Sequence, residues 1–285
     1  MKTQIQELVQ KAYEQQASDI YIIPAVNGYR IGFYTRTGID WQEIIPQQDG
    51  EHLIRYLKYK GGLDLSDGRR PQDGRINFDL AECMIYGRIS CVGDYQLQEM
   101  LVLRLVYSLQ AKWLEWANMA ELDALGQQLQ VTNGLILFAG KMGSGKTTTM
   151  HYMLQTYLRN QLVLTIEDPV EIVQPTFMQL EVNELAGMGY EQLLRVALRH
   201  HPEVLVIGEI RDVVTAICAI KAALSGHLVL ATIHAKSDED IQARLETLGV
   251  EPGLVQQALS ASIFTSKVAE TQTVSVEVNR KCSML

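Results

Sequence analysis

The sequence predicts an α/β fold, in which a largely parallel sheet covered by helices on both faces follows a smaller α+β domain. From Gly134 onward, apolar runs alternate with helical patterns, and these runs lack the apolar–polar alternation of a half-exposed strand. Before Gly134, short β-like runs are separated by turn signals and helices. A glycine-rich loop at 140–149, GKMGSGKTTT, joins the first apolar run of the second part to a helix. Together these observations predict the two-part organisation.

Composition and charge exclude several classes of protein. The chain has 285 residues, of which 47% are hydrophobic and 20% charged, as expected for a globular protein rather than a disordered one. Its net charge of −8 gives no overall basic footprint, so we expect no direct binding to nucleic acid. No apolar run approaches the ~18 residues that a membrane span needs. We therefore expect a cytoplasmic protein that reaches a membrane only through partners.

The four cysteines are scattered along the chain and form no C-x-x-C pair. They are Cys83, Cys91, Cys218 and Cys282. This spacing signals neither a zinc module nor a disulfide framework, so we expect buried, reduced thiols.

Residues 1–108 are predicted to form the α+β domain, built on an antiparallel sheet. Apolar residues at helical spacing indicate a helix within 3–16, and a second helix over 52–59 is expected to end at Gly61-Gly62. Turns are predicted at Asn27-Gly28 and at Asp73-Gly74. The β-like runs lie at 20–24, 29–34, 75–80, 83–91 and 99–107.

Residues 109–133 are predicted to be a helical linker, and residues 134–285 the parallel-sheet domain. The predicted strands of this domain lie at 135–139, 161–167, 178–182, 204–207 and 227–233. Its predicted helices lie at 146–158, 189–200, 212–224 and 238–248. In such sheets, ligands bind beyond the carboxyl ends of the strands, so polar residues there are candidates for function.

The loop at 140–149 satisfies the pattern G-x-x-x-x-G-K-[ST] of a phosphate-binding P-loop. Its glycines let successive backbone N–H groups turn toward phosphate oxygens. Lys146 can then reach the β- and γ-phosphates, and the Thr147 hydroxyl can hold Mg²⁺. The helix that follows would direct its N-terminus at the phosphates. The predicted nucleotide-binding residues are Gly140, Gly143, Ser144, Gly145, Lys146, Thr147 and Thr148.

Glu167 ends the second apolar run of this domain and is a candidate active-site acid. The residues after it have another explanation, because Asp168, Pro169 and Glu171 fit the cap of a helix. That cap does not use Glu167, which is therefore the better functional candidate.

Glu209 ends the apolar run 204–207 after an intervening glycine, Gly208. An acid delivered by a buried strand beside a P-loop is typical of a Walker B element. It binds Mg²⁺ through water or orients the attacking water. Gly208 would permit a close backbone approach at this point.

His227 and His234 bracket the last predicted strand, so they do not share a helical face, and a shared metal site is not favoured. His234 and Thr232 at the carboxyl end of this strand would lie near the γ-phosphate and could sense the nucleotide state. A purely structural role for His234 stays open at this point.

Four motifs, in order, resemble those of the secretion ATPases, the motors of type II secretion and type IV pili. They are GKMGSGKTTT, TIEDPVE, VLVIGEIRD and SGHLVLATIH, which match the Walker A, Asp, Walker B and His boxes. ASDIYIIP near the N-terminus and the runs DGRI, GRIS and VLRL resemble the family's N-terminal sheet. The resemblance implies a RecA-like P-loop NTPase core with a smaller, PAS-like α+β domain before it.

The resemblance also implies roles for individual residues. Glu209 would be the Walker B glutamate, Glu167 the acid of the Asp box, and His227 and His234 residues of the His box. Arginines of the N-terminal sheet would stabilise charge on the transferred phosphoryl group, some of them across a subunit boundary. By position these are Arg75, Arg88 and Arg104, with Arg88 and Arg104 the stronger candidates.

The function implied by the resemblance is that of a homohexameric motor using ATP and Mg²⁺. The short N-terminal region is most similar to the competence pilus ATPases of Gram-positive bacteria, which drive assembly of a pseudopilus for DNA uptake. A polytopic inner-membrane platform protein would be the partner, so the chain would lie at the inner face of the cell membrane. Two alternatives stay open: a motor that retracts pili, and a nucleotide-binding scaffold that does not hydrolyse ATP.

Two departures from the family pattern qualify the resemblance. After His234 the chain has Ala235-Lys236-Ser237, where the family often has a Thr-Asn pair. The match is expected to fade after Phe264, and the tail that follows resembles nothing in the family. We therefore expect a shortened C-terminal region, which is the observation behind the scaffold alternative.

Overall fold

The computed structural model describes residues 2–35, 37–81, 83–107, 115–129, 132–268 and 273–280. The chain divides into two compact units, residues 1–111 and 112–285. Within the described ranges, no helix has both the length and the apolar character needed to span a membrane. Cys83, Cys91 and Cys218 are free thiols, whereas Cys282 lies outside the described residues.

The first unit is an antiparallel six-stranded sheet with two helices, and its strand order is β3-β2-β1-β6-β5-β4. Its strands are β1 Asp19–Ala25, β2 Gly28–Thr35, β3 Gly38–Ile45, β4 Gln72–Asp79, β5 Met84–Gly93 and β6 Glu99–Val106. Its helices are α1 Lys2–Glu14 and α2 Gln47–Lys60. Ile5 and Val9 of α1 and Leu57 of α2 are buried in one apolar cluster with alternate residues of the strands. This unit is an α+β fold.

Two details of the first unit differ from the sequence prediction. Strand β3 was not predicted, because its half-exposed residues carry a weak apolar signal. Asp73-Gly74 does not form a turn but lies inside β4. A Cβ on Gly74 would lie 2.7 Å from the carbonyl oxygen of Gly61, so the glycine there permits a close approach of the chain after α2.

The second unit contains an eight-stranded sheet, as far as the described residues extend, in the order β10-β9-β11-β12-β8-β13-β14-β7. The run from β10 to β13 is parallel, β14 is antiparallel to β13, and β7 is parallel to β14. The strands are β7 Glu115–Trp116, β8 Gly134–Gly140, β9 Val163–Glu167, β10 Met178–Glu181, β11 Val204–Ile210, β12 Leu228–His234, β13 Leu259–Lys267 and β14 Thr273–Arg280. The helices are α3 Met119–Leu129, α4 Lys146–Tyr157, α5 Tyr190–Arg199, α6 Val213–Leu224, α7 Asp240–Thr247 and α8 Pro252–Ala258, with a 3-10 turn at Glu184–Ala186.

Helices cover both faces of this sheet, so its parallel strands are buried on both sides. Leu135 and Leu137 of β8 pack in one cluster with α5, α6, α7 and α8. Ile136 and Phe138, the alternate residues of the same strand, pack on the other face with α3 and α4. This arrangement accounts for the unbroken apolar runs of the sequence and confirms the predicted α/β core.

One prediction for the second unit, a helix capped by Asp168, was wrong. No helix begins after Asp168, since the chain runs on as a loop from Asp168 to β10. The Asp168 carboxylate pairs instead with Arg211, which follows β11. The tail after Phe264 completes β13 and, after a gap in the described residues, forms β14. The sheet thus extends beyond β8 on the side opposite β12.

Candidate nucleotide-binding and hydrolysis site

The predicted functional residues of the second unit meet at one edge of its sheet. Strands β9, β11, β12, β8 and β13 are parallel neighbours, so their carboxyl ends lie side by side. Glu167 ends β9, Glu209 lies near the end of β11, and His234 ends β12 directly opposite Gly140 of β8. Strand order therefore brings residues that are far apart in sequence to the same edge of the sheet.

The glycine-rich loop between β8 and α4 is closely packed by the C-terminal strands. Gly145 has φ +98°, and a Cβ there would lie 2.8 Å from a methyl group of Val274 in β14. The hydroxyl groups of Ser144 and Thr265 of β13 are 2.8 Å apart. Both the backbone conformation and this packing explain why the position before the lysine is glycine.

Lys146 begins α4, and its ammonium group lies over the loop. Nζ donates to the carbonyl oxygens of Lys141, at 2.9 Å, and Gly140, at 3.1 Å. The side chain is buried, and burial lowers the pKa of Lys146, while the carboxylates of Glu209 and Glu171 act in the opposite direction. The charged group is thus held where the motif places the phosphates.

A chain of contacts joins Lys146 to Glu209 through His234. The Nδ1 atom of His234 lies 3.3 Å from Lys146 Nζ, and its Nε2 atom lies 2.8 Å from the Glu209 carboxylate. If Nδ1 accepts from the ammonium, Nε2 carries the proton and donates to Glu209. His234 therefore belongs to the site. His227 lies before the opposite end of β12, beside the carbonyl oxygen of Ala222.

An irregularity in β11 brings Glu209 to this position. The pairing of β11 with β12 shifts between Ile207 and Ile210, and the Thr232 hydroxyl donates to the Gly208 carbonyl at 2.7 Å. A Cβ on Gly208 would lie 3.1 Å from the Cα of Glu167. As the sequence predicted, the glycine permits a close backbone approach, here between β11 and β9.

Glu167 is 2% exposed, and its carboxylate is held by neutral donors. The Thr165 hydroxyl donates to Oε1 at 2.7 Å, and the Gln179 amide donates to the same oxygen at 3.0 Å. Burial raises the pKa of Glu167, whereas the hydrogen bonds from Thr165 and Gln179 lower it. These hydrogen bonds therefore stabilise the ionised form of the Glu167 carboxyl group against the cost of its burial.

The predicted magnesium residues supply hard oxygen ligands. Thr147 is half-buried on the first turn of α4, where Thr148 is buried, and Glu209 lies across the strand ends. Among the described residues no group of three or more His, Cys, Asp or Glu side chains could bind a metal by itself. Mg²⁺ usually takes one or two protein oxygens and completes its shell with phosphates and water, so a hydroxyl and one carboxylate fit it.

Several residues of the site were not predicted from the sequence. Thr265, Thr165 and Gln179 belong to this group, and so does Arg211, which pairs with Asp168 at the ends of β11 and β9. Trp116 of β7 donates from its indole to Thr149 Oγ1 of α4 at 2.9 Å. Thr165 and Arg211 lie within the motifs TIEDPVE and VLVIGEIRD, whereas Thr265, Gln179 and Trp116 lie in none of the four motifs.

The three candidate arginines lie in one row across the sheet of the first unit. Arg75 is directly opposite Arg88, Arg88 is opposite Arg104, and Arg104 is opposite Asp19. The Nε atom of Arg104 donates to Asp19 Oδ1 at 2.8 Å. Directly opposite residues of neighbouring strands share a face, so the three arginines lie on one face of this sheet.

Comparison with known proteins identifies the family. The profile described as "Type II/IV secretion system protein" matches residues 1–278. The chain belongs to this family. The match extends well past Phe264, so the prediction that the resemblance ends there was wrong. The predicted resemblance to the secretion and pilus ATPases is confirmed, and the chain is a P-loop ATPase.

Two relatives and one solved structure show how far the likeness extends. The competence protein ComGA of Streptococcus pneumoniae is 39% identical over 248 residues, which are 86% of this chain and 77% of that protein. ComGA of Halalkalibacterium halodurans is also 39% identical, over 87% of this chain and 72% of its own length. The ATPase DotB of Legionella pneumophila superposes with a TM-score of 0.71 at 19% identity, covering 98% of this chain and 80% of DotB. The predicted RecA-like core with an N-terminal α+β domain is confirmed by this likeness in fold.

Proposed function

We propose that this chain is the homohexameric motor that assembles a competence pseudopilus for DNA uptake, using ATP and Mg²⁺. The contact chain Lys146–His234–Glu209 at the carboxyl ends of the strands is the observation that carries the hydrolytic part of the proposal. The likeness to ComGA proteins over more than four-fifths of the chain supports the competence part. A polytopic platform protein of the inner membrane is the proposed partner, and it would hold the motor at the inner face of the membrane.

In the proposed reaction, the loop at 140–149 binds the phosphates through its backbone N–H groups, and Lys146 moves from the loop carbonyls to the β- and γ-phosphates. Thr147 and, through water, Glu209 would hold Mg²⁺, which would neutralise the charge of the phosphates. Glu209 orients the attacking water, with Glu167 as a second acid nearby. His234 links Lys146 and Glu209, so it would register the departure of the lysine when nucleotide binds.

The arginine row gives a reason for a ring. We propose that Arg88 and Arg104 act on nucleotide bound by a neighbouring subunit, since an arginine stabilises the charge of the phosphoryl group in transfer. Hydrolysis would then require contact between subunits.

Mixing two inactive variants tests this arrangement. Arg88→Ala and Glu209→Gln proteins should each have low ATPase activity. Mixed rings would contain sites with an intact Glu209 and a neighbour's intact Arg88, so a 1:1 mixture should recover about a quarter of wild-type activity. The measurement is phosphate release after joint refolding or co-expression. Arg55→Ala, an exposed arginine of α2, is the matched control and should retain full activity. Activity of the mixture no higher than the average of the two variants would contradict a role in trans.

Deletion of the gene tests the direction of the motor. An assembly motor is required to build filaments, so the deletion strain should lack pseudopili and lose DNA uptake, as measured by transformation and electron microscopy. A plasmid copy with an intact Lys146 should restore both. An excess of filaments in the deletion strain would contradict assembly and indicate retraction instead.

A further inference from the structure

Two side chains converge on one oxygen of Glu167. Thr165 Oγ1 donates to Glu167 Oε1 at 2.7 Å, and Gln179 Nε2 donates to the same atom at 3.0 Å. The strand register explains the convergence, because Gln179 of β10 pairs directly with Thr165 of β9. Residues opposite each other in neighbouring strands share a face, and Glu167, two residues after Thr165, lies on that face too.

The amide of Gln179 is itself fixed by the loop between β9 and β10. Its Nε2 atom also donates to the Ile172 carbonyl at 2.9 Å, and its Oε1 atom accepts from the Gln174 backbone at 2.8 Å. With both donor hydrogens used and the acceptor occupied, the amide cannot turn without breaking contacts to the loop. Its orientation is therefore set before any substrate arrives.

The other oxygen of Glu167 faces the helix that follows the P-loop. Oε2 lies 3.9 Å from Nε2 of His151, a fully buried side chain of α4. Lys146 and Thr147 stand on the first turn of the same helix. Holding Oε1 from the side of β10 thus leaves Oε2 directed toward the element that carries the phosphate-binding residues.

We propose that Gln179 is a positioning residue of the ATPase reaction, which acts by fixing the carboxylate of Glu167 through Oε1. The inference rests on the proposed catalytic role of Glu167. Thr165 makes the second bond to the same oxygen, and the backbone of Glu171 makes a further hydrogen bond to the carboxylate. When such supporting hydrogen bonds are removed, a catalytic group loses efficiency even though the group itself is unchanged.

Gln179→Leu removes the donor and keeps a side chain of similar size. We expect kcat for ATP hydrolysis to fall about 10- to 100-fold, because a misplaced catalytic group can cost up to about 10²-fold. The dissociation constant of a fluorescent ATP analogue should stay within about twofold, since Gln179 contacts none of the P-loop residues in the described structure. Gln242→Leu is the matched control: Gln242 donates to Glu246 at 2.8 Å on the exposed face of α7, and its loss should leave kcat unchanged.

A double-mutant cycle with Glu167→Gln separates positioning from general structural support. If Gln179 acts through Glu167, Gln179→Leu should lower kcat in the wild-type background but by less than about twofold in the Glu167→Gln background. Thr165→Val, which removes the other donor to the same oxygen, should follow the same pattern and serves if Gln179→Leu does not fold. Equal fold-losses in both backgrounds would overturn the inference while leaving the role of Glu167 intact. Wild-type turnover of the single variant Glu167→Gln would instead refute the catalytic role of Glu167, and the inference with it.

Discussion

Lys146→Ala is expected to reduce ATP turnover by at least about 10³-fold, because the lysine supplies a buried ammonium group at the P-loop that can neutralise charge on the β- and γ-phosphates. In the structure this group is buried and bound to the carbonyl oxygens of Gly140 and Lys141, so the protein already keeps it at the phosphate site. The variant should also bind ATP more weakly. Steady-state phosphate release and titration with a fluorescent ATP analogue measure the two effects.

Lys141→Ala provides a matched control within the same loop. Lys141 is exposed, and only its backbone carbonyl contacts Lys146. Its removal takes one positive charge from the loop but leaves the ammonium of Lys146 in place, so turnover should stay within a few-fold of wild type. Wild-type-like hydrolysis by Lys146→Ala, or equal losses in the two variants, would contradict the assignment of Lys146.

Glu209→Gln is expected to reduce turnover by about 10²- to 10³-fold, because the variant loses the carboxylate that orients water. ATP should stay bound, because the phosphate-binding loop is unchanged. Glutamine preserves the size of the side chain and an oxygen that can accept from His234. Rapid gel filtration followed by analysis of the retained nucleotide should find ATP rather than ADP. This result distinguishes a defect in chemistry from the binding defect expected for Lys146→Ala.

Glu203→Gln is the control for the Walker B assignment. Glu203 precedes the opposite end of β11 and accepts from the Leu162 backbone at 2.7 Å, a bond that glutamine can retain. Full activity is expected for this variant. Turnover by Glu209→Gln equal to that of Glu203→Gln would show that the acid at the carboxyl end of β11 has no special role.

The sequence predicted those parts of the site that follow from local pattern and strand order. GKMGSGKTTT lies between a buried strand and a helix, and acids follow two further apolar runs, so their meeting at one sheet edge followed from parallel topology. The sequence placed His234 at the same edge of the sheet but did not identify the side chains that it contacts. Its contacts to Lys146 and Glu209 depend on the shift in β11, for which Gly208 was the only sign in the sequence.

Other features depend on contacts between distant residues and could not be predicted from local pattern. The hydroxyl of Ser144 meets that of Thr265, 121 residues away, because β13 pairs with β8. The tail that forms β14 alternates too weakly to indicate a strand by itself, and Val274 gains its place against Gly145 only from the sheet. The predicted helix cap at Asp168 failed for the same reason, since the nearby Arg211 offers Asp168 a partner outside the local chain.

The hydrogen bonds of Glu167 show most clearly what could not be predicted from the sequence. Thr165 and Gln179 are ordinary strand residues in the sequence, and only the register of β10 against β9 makes both of them donors to one buried carboxylate. Neither spacing nor residue type signals such a pair. Strand β10 reaches its place beside β9 through a loop of about ten residues, so the sequence alone does not determine the register of this parallel pair.

The structure of the Glu209→Gln protein with ATP and Mg²⁺ tests the central claim most directly. The claim is that nucleotide binds at the carboxyl ends of β8, β11 and β12 and draws Lys146 out of the loop. The expected result is the β- and γ-phosphates within hydrogen-bonding distance of Lys146 Nζ, with its bonds to the carbonyl oxygens of Gly140 and Lys141 broken. Nucleotide bound elsewhere, or Lys146 still on the loop carbonyls at saturating ATP, would contradict the claim.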